Sequence, residues 1–365
     1  MDFFTTHVSE AAIAEVMACM RAGRLSEGVR VKALEDGLAT TLGLANPVCV
    51  NSGTTALHLA LVVAGVGPGD EVIVPAQTFI ATALAVLMVG AKPVFADIDP
   101  LTGNLDPRDV ATRVTERTRA MIPVHWSGLP CDMDELGAIA ARHGFTVVED
   151  AAHAVGATYK GRPVGALSAM TCFSFQAIKH LTSGDGGAIA FTDPAHAQKA
   201  KKLRWFGIDR ANSPVTELGE RDYDLTELGY KYHMGDFAAA LALGNLPDLP
   251  GILATRRDTV ALYNSAFAHV AGVTLLRADA DRQSANWLYT MRVERRLDFV
   301  RALKSRGVPS SVVHNRIDHN TLFGGLRQDL PGQDLFDAEQ IAVPVHEDLS
   351  QDDVATVIAA VRAGW

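Results

Sequence analysis

The feature of this sequence that most constrains its fold is a regular alternation of short apolar segments and helical segments between residues 47 and 150. Because the apolar segments have no polar face, they are typical of strands covered on both sides, as in parallel sheets built from βαβ units. We therefore predict an α/β fold with a mainly parallel sheet. The predicted strands are 48–50, 72–74, 94–96, 120–124 and 146–148, and the predicted helices between them are 55–64, 81–89, 106–113 and 133–142.

Two further apolar segments, 170–175 and 188–191, flank a glycine-rich turn and extend the same sheet. The predicted sheet then has about seven strands, which is a usual size for large α/β proteins. Helical periodicity predicts two more helices ahead of the sheet, at 9–21 and 31–41. In the first of these helices, the apolar residues on one side are Ile13, Val16, Met17 and Met20.

The alternation stops after residue 191, where a smaller α+β pattern follows a polar segment. The polar segment, 207–227, is predicted to be a long loop, and such loops are often functional. Because 365 residues exceed the size at which one core usually stops growing, we predict a large domain at 1–250 and a small C-terminal α+β domain at 251–365. The predicted helices here are 195–203, 234–246, 252–267, 298–306 and 352–362, and the predicted strands are 273–276, 288–293 and 310–313.

Charge and cysteine content argue against several kinds of partner. The net charge of −9 argues against nucleic-acid binding, because a phosphate backbone requires a basic surface. The four cysteines have no metal-ligand spacing, so we predict reduced thiols and no metal site. The first residues do not form a signal sequence, and the longest apolar run, near 81–89, is too short to span a bilayer. We expect a cytoplasmic protein that binds small molecules.

A single lysine, Lys179, lies between the last two apolar segments, just before the turn Gly184-Asp185-Gly186-Gly187. Burying an ammonium group is costly, so lysines are seldom fully buried. One interpretation is that Lys179 extends its ammonium group to the surface. The other is a desolvated lysine with a lowered pKa that forms a Schiff base. The local sequence leaves both interpretations open.

A second motif, Asn51-Ser52-Gly53-Thr54-Thr55, joins a predicted strand to a predicted helix. Glycine permits close approach of a ligand to the backbone, hydroxyl groups donate hydrogen bonds, and a helix N-terminus attracts anions. The motif could therefore bind a phosphate group, although an ordinary helix N-cap would use the same residue types. It matches neither the P-loop nor the dinucleotide-binding glycine pattern.

A third motif ends a buried strand in two carboxylates, Glu149 and Asp150. Parallel sheets bind ligands at the carboxyl ends of their strands, so Asp150 could hold the protonated ring nitrogen of a pyridine cofactor. It could also cap a following helix. Ser174 lies five positions before Lys179 and can face the same pocket. Phe79 could stack on a flat cofactor ring or fill the core.

These motifs also occur in an informative order along the chain. The blocks are Ser52-Gly53-Thr54, Pro75 to Phe79, Glu149-Asp150-Ala151-Ala152-His153, Phe173 to Gly187, and Gly229 to Met234 followed by Ala238-Ala239. This order resembles the DegT/DnrJ/EryC1/StrS family of pyridoxal-phosphate-dependent sugar aminotransferases, which have the aspartate aminotransferase fold (fold type I). The resemblance extends from about Gly28 to the end of the chain and is loosest in the last third.

The resemblance implies pyridoxal 5'-phosphate (PLP) as cofactor and a role for each matching residue. Lys179 would bind the cofactor as a Schiff base and then act as general acid and base, while Asp150 would keep the pyridine nitrogen protonated. Phe79 would stack on the ring, and His153 would lie near the phenolic oxygen. The implied cofactor-binding residues are Gly53, Thr54, Phe79, Asp150, His153, Ser174, Lys179 and His233, of which Gly53, Thr54 and Ser174 would bind the phosphate.

The resemblance also implies a homodimer with shared active sites, because in this family the segment matching Gly229 to Met234 contacts the phosphate bound in the partner subunit. A common family pattern there is Gly-Tyr-Asn-Tyr-Arg-Met. Lys231 replaces the asparagine in this chain and His233 replaces the arginine, so both residues are candidates for that contact.

Glutamate as amino donor and a nucleotide-linked keto-sugar as acceptor are likewise implied. The candidate substrate-binding residues are His125, His314 and Arg316. Arg316 could hold a diphosphate by a bidentate contact or could pair locally with Asp318. Alternatives within the family are sugar 3-dehydratases, cyclitol aminotransferases and non-catalytic PLP-binding relatives. A histidine replaces the lysine in the dehydratases, so Lys179 argues against that branch.

Overall fold

A large central sheet organises the structure, a computed structural model that describes residues 1–210, 212–277 and 279–365. Seven strands of these residues form the sheet in the order β1-β9-β8-β5-β4-β2-β3, which confirms the predicted seven-stranded sheet. The strands are, in chain order, β1 Val48–Val50, β2 Glu71–Pro75, β3 Lys92–Ala96, β4 Thr118–Met121, β5 Thr146–Asp150, β6 Thr158–Tyr159, β7 Arg162–Pro163, β8 Met170–Ser174, β9 Gly187–Phe191, β10 Val273–Leu275, β11 Arg282–Gln283, β12 Tyr289–Val293 and β13 Gln340–Val343.

The sheet is mainly parallel, as predicted, and β9 is its antiparallel strand. The pairs β2–β3, β2–β4, β4–β5 and β5–β8 are parallel, whereas β9 pairs antiparallel with β1 and β8. The strand predicted at 120–124 ends earlier, at Met121. Pro123 follows it and has no backbone N–H to continue the pairing.

The helices predicted from periodicity are all present, with ends shifted by a few residues. In the described residues they are α1 Glu10–Ala22, α2 Val29–Leu42, α3 Gly53–Val63, α4 Ala81–Met88, α5 Pro107–Arg113, α6 Met133–His143, α7 Pro194–Leu203, α8 Asp236–Asn245, α9 Leu249–Phe267, α10 Arg296–Ser305, α11 Pro331–Glu339 and α12 Gln351–Arg362. Short 3₁₀ helices lie at Trp126–Gly128, Leu246–Asp248, Ile317–His319 and Thr321–Phe323.

Both faces of the large sheet are covered by helices, which explains why its strands have no polar face. On one face, Val48 and Ile189 pack against residues of α3, α4 and α7. On the other face, Cys49 and Ala188 pack with α2 and α8, while α5 and α6 cover the far end of the sheet. Successive residues of one strand therefore enter different cores.

A second core lies in the C-terminal part of the chain, around the antiparallel sheet β10-β12-β13. Its buried residues include Phe267 of α9, Phe299 of α10 and Val357 of α12. Helix α9 contributes to both cores, because Leu249 packs with the large sheet and Phe267 with the small one. The boundary at residue 250 stays a prediction.

The strand predicted at 310–313 is wrong. In the structure Ser311 makes only an isolated bridge to Ala342, and the third strand of the small sheet is β13, which the sequence did not identify. Val313 has a φ angle of 60°, a left-handed conformation that a strand cannot continue through. The Ser311 hydroxyl accepts a hydrogen bond from the Val313 N–H and closes this turn.

Helix α1 is confirmed, but the apolar side predicted from its periodicity faces outward in this chain. The exposed fractions of Ile13, Met17 and Met20 are 43%, 46% and 58%. Ala12 and Cys19 are the buried residues of the helix. A Cβ on Gly244 of α8 would lie 2.2 Å from the Cα of Ala12, so the two helices approach each other closely there.

The polar segment 207–227 is largely irregular, as predicted, and its residue 211 lies outside the described part of the chain. The isolated bridge between Val215 and Arg221 is one of its few regular contacts.

One stretch of the described residues, 236–267, is long and apolar enough to cross a membrane, judged by length and composition. The sequence prediction took 81–89 as the longest apolar run and did not identify this stretch. Within the protein, 56% of its most apolar window is buried. Buried core helices pass the same test, so the stretch is weak support for a membrane span.

A buried ion-pair network ties the edge strand β1 to the helices beside it. The Arg204 guanidinium donates to Glu35 Oε1 at 2.6 Å and to the Cys49 carbonyl at 2.7 Å. It also donates to Glu27 at 2.7 Å, and Glu35 Oε1 accepts from the Cys49 N–H at 3.0 Å. Because Arg204 and Glu35 are both buried, each needs the opposite charge of the other to compensate for its loss of hydration.

We expect Glu35→Ala to lower the free energy of unfolding by about 3–5 kcal/mol, because it leaves the Arg204 charge buried with less compensation. The matched control is Asp36→Ala on the same helix, where an exposed Asp36 pairs with an exposed Lys32. That change should alter the free energy of unfolding by about 0.5 kcal/mol or less. Urea denaturation followed by circular dichroism measures both, and equal effects would contradict the assignment.

Candidate active site

A cavity of about 370 Å³ opens at the carboxyl ends of β5 and β8. It brings together residues from four of the predicted motifs, together with two residues from the C-terminal part of the chain. The lining residues are Ser52, Gly53, Thr54, Leu57, Thr78, Phe79, Ala81, Val124, Asp150, Ala152, His153, Cys172, Phe173, Ser174, Gln176, Ile178, Lys179, Asp185, Gly186, Trp287 and His314.

Lys179 extends into this cavity from the turn between β8 and β9. Its Nζ lies 3.4 Å from the centroid of a Trp287 ring, a cation–π contact. Burial lowers the pKa of Lys179 to about 7, although the negative charge of Asp150 opposes that change. A lysine that is substantially neutral near pH 7 is a competent nucleophile, which favours the Schiff-base interpretation over the surface one.

Asp150 ends β5 and is buried at the cavity. Its Oδ2 accepts a hydrogen bond from the Thr82 hydroxyl at 2.8 Å, and its Oδ1 accepts one from the Ala152 N–H at 3.1 Å. Burial raises the pKa of Asp150, while these donors and the charge of Lys179 oppose the rise. No helix begins at this position in the described residues, so Asp150 is not a helix N-cap.

The N-terminus of α3 forms one wall of the cavity, and the Ser-Gly-Thr motif lies there. Ser52 caps the helix, since its hydroxyl accepts from the Thr55 N–H at 3.1 Å. Gly53 and Thr54 are left facing the cavity. A Cβ on Gly53 would lie 2.9 Å from the Cβ of Ser174, so this close approach requires glycine.

Aromatic side chains surround the lysine on the remaining sides. Phe79 lines the cavity with 54% of its surface exposed, so it does not fill the core. The His153 ring stacks on Trp287 with centroids 3.9 Å apart and an interplanar angle of 19°. His314 stacks with both, at centroid distances of 5.7 Å from His153 and 6.0 Å from Trp287.

Both cavity histidines are held in the neutral form. Burial and the nearby Lys179 charge lower the pKa of His314 to about 4 and hold the pKa of His153 well below its usual range. The Nδ1 atom of His153 is buried without a hydrogen-bond partner in the described residues. An unsatisfied buried nitrogen beside the lysine is consistent with a ligand that would complete its hydrogen bonds.

Two residues proposed from the sequence for substrate binding do not line the cavity. His125 is fully buried, its Nε2 lies 2.8 Å from Glu149 Oε2, and its Nδ1 accepts from the Cys131 N–H at 3.1 Å. Because both ring nitrogens are engaged, the prediction that His125 faces the pocket is wrong. Burial would raise the pKa of Glu149, but the hydrogen bonds from His125, Ser168 and Thr171 act together with the interaction with His125 to lower it.

Arg316 is also placed elsewhere. It donates to both carboxylate oxygens of Asp318 at 2.7 Å, and it contacts Asp334 as well. The alternative of a local pair with Asp318 is therefore the one that the structure contains. The proposed bidentate contact to a diphosphate is wrong for Arg316, because the same donor atoms are already used.

Lys231 and His233 lie outside the lining of this cavity and form a separate cluster with Trp205. The Lys231 Nζ is 3.8 Å from the centroid of a Trp205 ring, and the His233 ring is 4.2 Å from it. Burial, with the charge of Lys231 next, lowers the pKa of His233 to about 4. Within one subunit, neither residue contributes to the Lys179 cavity.

Two residues of the site were missed from the sequence, Trp287 in the cavity lining and Thr82 behind Asp150. Trp287 contacts Lys179 and His153, and its Nε1 donates to the Ile178 carbonyl at 2.9 Å. Thr82 holds Asp150. A tryptophan directly before a predicted strand was the available signal for the first, whereas Thr82 lies inside an apolar helix and gave none.

Comparison with known proteins places this geometry in a family. The DegT/DnrJ/EryC1/StrS aminotransferase family model matches residues 6–362. The chain is 37% identical to the spore coat polysaccharide biosynthesis protein SpsC of Bacillus subtilis, with 97% of this chain and 94% of that protein covered. It is 36% identical to the GDP-perosamine synthase of Caulobacter vibrioides, with 94% and 93% covered. The crystal structure of the sugar aminotransferase CalS13 from Micromonospora echinospora superposes with a TM-score of 0.95 at 33% identity over 100% of both chains.

The lowered pKa of Lys179 predicts a distinctive pH dependence. In the cofactor-free protein, acetylation of Lys179 by acetic anhydride should be half-maximal near pH 7, since only the neutral amine reacts. In the urea-denatured protein, acetylation of the same lysine should be half-maximal at about pH 10.4. Asp150→Asn should lower the native midpoint further, because the carboxylate stabilises the ammonium form. Mass spectrometry of the Lys179 peptide measures all three, and a native midpoint near the denatured one would refute the assignment.

Proposed function

Because the chain belongs to the DegT/DnrJ/EryC1/StrS aminotransferase family, we propose that it transfers an amino group from glutamate to a nucleotide-linked keto-deoxyhexose. The enzyme is a PLP-dependent aminotransferase, and the product would be an amino sugar for a glycan or a secondary metabolite. The observation that carries the proposal is a lysine of lowered pKa, Lys179, in one cavity with the buried carboxylate of Asp150.

The residues of the cavity fit PLP. In the wall formed by Gly53, Thr54 and Ser174, the missing side chain of Gly53 lets the start of α3 approach Ser174 closely, and the N-terminus of α3 attracts an anion there. The unpartnered Nδ1 of His153 offers a hydrogen bond to the phenolic oxygen. Phe79 offers an exposed ring for stacking.

The cofactor, when bound, supplies a conjugated pyridine ring that accepts electrons from the carbon that loses its proton. Asp150 would hold the proton on the ring nitrogen, and the donors Thr82 and Ala152 orient its carboxylate. Lys179 would hold the cofactor covalently. When its amine is released, the lowered pKa of Lys179 lets Nζ accept a proton near pH 7 and return it to a neighbouring carbon.

A neutral histidine such as His314 is suited to binding the sugar substrate. Because the pKa of His314 is about 4, its imidazole can donate to or accept from a sugar hydroxyl without adding charge. His314 is the one of the three residues proposed for substrate binding that lines the cavity.

The nucleotide is proposed to lie along the 207–227 loop at the subunit boundary. Arg210 stacks on Trp205 at 4.7 Å and offers a cation to the diphosphate. The net charge of −9 gives no general attraction for an anion, so affinity would depend on such local cations.

The sugar 3-dehydratase alternative is less well supported. That branch needs a histidine in place of the lysine, and here Lys179 is the residue in the cavity. His180 is buried outside the lining, and its Nε2 bonds the Ala285 carbonyl at 2.9 Å.

A homodimer with shared sites is part of the proposal. The exposed apolar side of α1, formed by Ile13, Met17 and Met20, offers a surface that a second copy would cover. Lys231 and His233, which do not line the Lys179 cavity of their own subunit, would then reach the phosphate of the partner. We propose the cytoplasm as the location, in keeping with four free, buried cysteines.

Lys179→Ala tests the covalent role. The variant should lose at least about a thousandfold in transamination rate, as expected when a nucleophile and general base is removed. Borohydride treatment of the PLP-loaded wild type should fix the cofactor on the Lys179 peptide, and the variant should show no fixed cofactor by mass spectrometry. Near-wild-type turnover in Lys179→Ala would refute the role.

Subunit mixing tests the shared site. Lys179→Ala subunits mixed with Lys231→Ala/His233→Ala subunits should regain up to about a quarter of the wild-type activity, because half of the dimers are mixed and each has one intact site. The control is each variant taken alone through the same exchange step. Failure to regain activity when mass spectrometry shows mixed dimers would contradict the shared site.

A further inference from the structure

Two threonines form a buried chain of hydroxyl groups that ends on Asp150. Thr78 Oγ1 and Thr82 Oγ1 lie 2.6 Å apart, and Thr82 Oγ1 lies 2.8 Å from Asp150 Oδ2. Thr78 is 1% exposed and Thr82 is fully buried. A buried hydroxyl without a polar partner is costly, so two of them beside an otherwise apolar helix such as α4 require an explanation.

The direction in which these hydroxyl groups donate follows from the number of hydrogens that each one has. Each threonine hydroxyl has a single hydrogen to donate. If Asp150 is ionised, Thr82 must donate to the carboxylate, and Thr78 must then donate to Thr82. If Asp150 were protonated and donated to Thr82, the whole chain would reverse, and Thr78 would need a further acceptor. The described residues provide no such acceptor for the Thr78 hydroxyl.

We propose that Thr78 and Thr82 are positioning residues that hold Asp150 in its ionised form and aim its remaining lone pairs at the cofactor's ring nitrogen. The inference rests on the proposed function, in which Asp150 pairs with that nitrogen. Thr82 acts directly on the carboxylate, and Thr78 acts only through Thr82, by fixing the direction in which its hydroxyl points.

The chain is needed because the surroundings of Asp150 disfavour its charge. Burial raises the pKa of this carboxyl, and hydrogen bonds from Thr82 and Ala152 oppose the rise. The Lys179 ammonium group also lowers it, and His125 is a further titratable group beside it. The other titratable groups beside it are Glu149, which precedes it in β5, and the thiol of Cys172, which pairs with it in β8. When Lys179 is neutral, its charge no longer stabilises the Asp150 carboxylate. The hydrogen bonds of the hydroxyl chain then contribute a larger part of the stabilisation of the ionised form.

The test measures the pKa of Asp150 in the cofactor-free protein by carboxyl NMR with ¹³C-labelled aspartate. The Asp150 signal is identified by its absence in Asp150→Asn. Thr82→Val keeps the side-chain shape and should raise the pKa of Asp150 by about one to two pH units, since one hydrogen bond to a charged group is lost. Thr82→Ser keeps the hydroxyl and should remain close to wild type.

A double-mutant cycle distinguishes the proposed chain of hydroxyl groups from a general structural effect of the substitutions. Thr78→Val should raise the pKa of Asp150 by less than Thr82→Val does, and the double variant should equal Thr82→Val alone, because Thr78 has no other route to the carboxylate. The matched control is Thr171→Val, which removes a buried hydroxyl that donates to Glu149 at 2.8 Å. It should not raise the pKa of Asp150. An unchanged pKa in Thr82→Val, or additive effects of the two valines, would overturn the inference.

Binding of PLP gives a second readout that is independent of turnover. As pH falls, the dissociation constant for PLP should begin to rise at a higher pH in Thr82→Val than in wild type, by the same one to two pH units. If Asp150→Asn binds PLP as tightly as wild type at every pH, the proposed role of Asp150 fails. If Asp150→Asn weakens binding while Thr82→Val does not, only the hydroxyl chain is refuted.

Discussion

The candidate active site depends on the parallel pairing of β5 with β8. Asp150 pairs with Cys172, so the chain that leaves β8 after Ser174 enters the cavity beside the carboxylate. Antiparallel β9 then brings the chain back, and the turn between the two strands carries Lys179. The surrounding cavity is largely apolar, which lowers the pKa of the lysine and raises that of the aspartate. The reactivity of Lys179 therefore follows from the order of strands in the sheet and not from its neighbours in sequence.

The C-terminal part of the chain completes the site and holds it to the large sheet. Trp287 donates to the carbonyl of Ile178, the residue before Lys179, and so fixes the backbone that presents the lysine. The carbonyl of His314 accepts from the side-chain amides of Gln77 and Gln340, each at 3.3 Å. Gln77 follows β2 of the large sheet, and Gln340 is the first residue of β13. Buried amides thus lock the two parts of the chain together where the cavity closes.

The seven strands and most helices could be predicted, because burial on both faces of a sheet or on one side of a helix leaves a period in the local sequence. The same reasoning failed for 310–313, where the left-handed Val313 interrupts an apolar segment. It also misjudged α1, because a period shows that one side is apolar but not what covers that side. Helix α1 turns its small residues toward α8 and leaves Met17 and Met20 exposed.

Lys179, Asp150, Ser174 and the Gly53-Thr54 pair could be named as candidates from the sequence, because strand ends and helix starts in a parallel sheet meet at one edge. Their local patterns left alternatives open, and the resemblance to a known family chose among them. Only the tertiary structure decided between His314, which lines the cavity, and His125 and Arg316, which do not. All three are polar residues that follow predicted strands. Glu149 and Cys131 occupy both nitrogens of His125, and Asp318 and Asp334 occupy the donors of Arg316. A side chain's availability depends on which distant groups satisfy its hydrogen bonds, and the local sequence does not encode those partners.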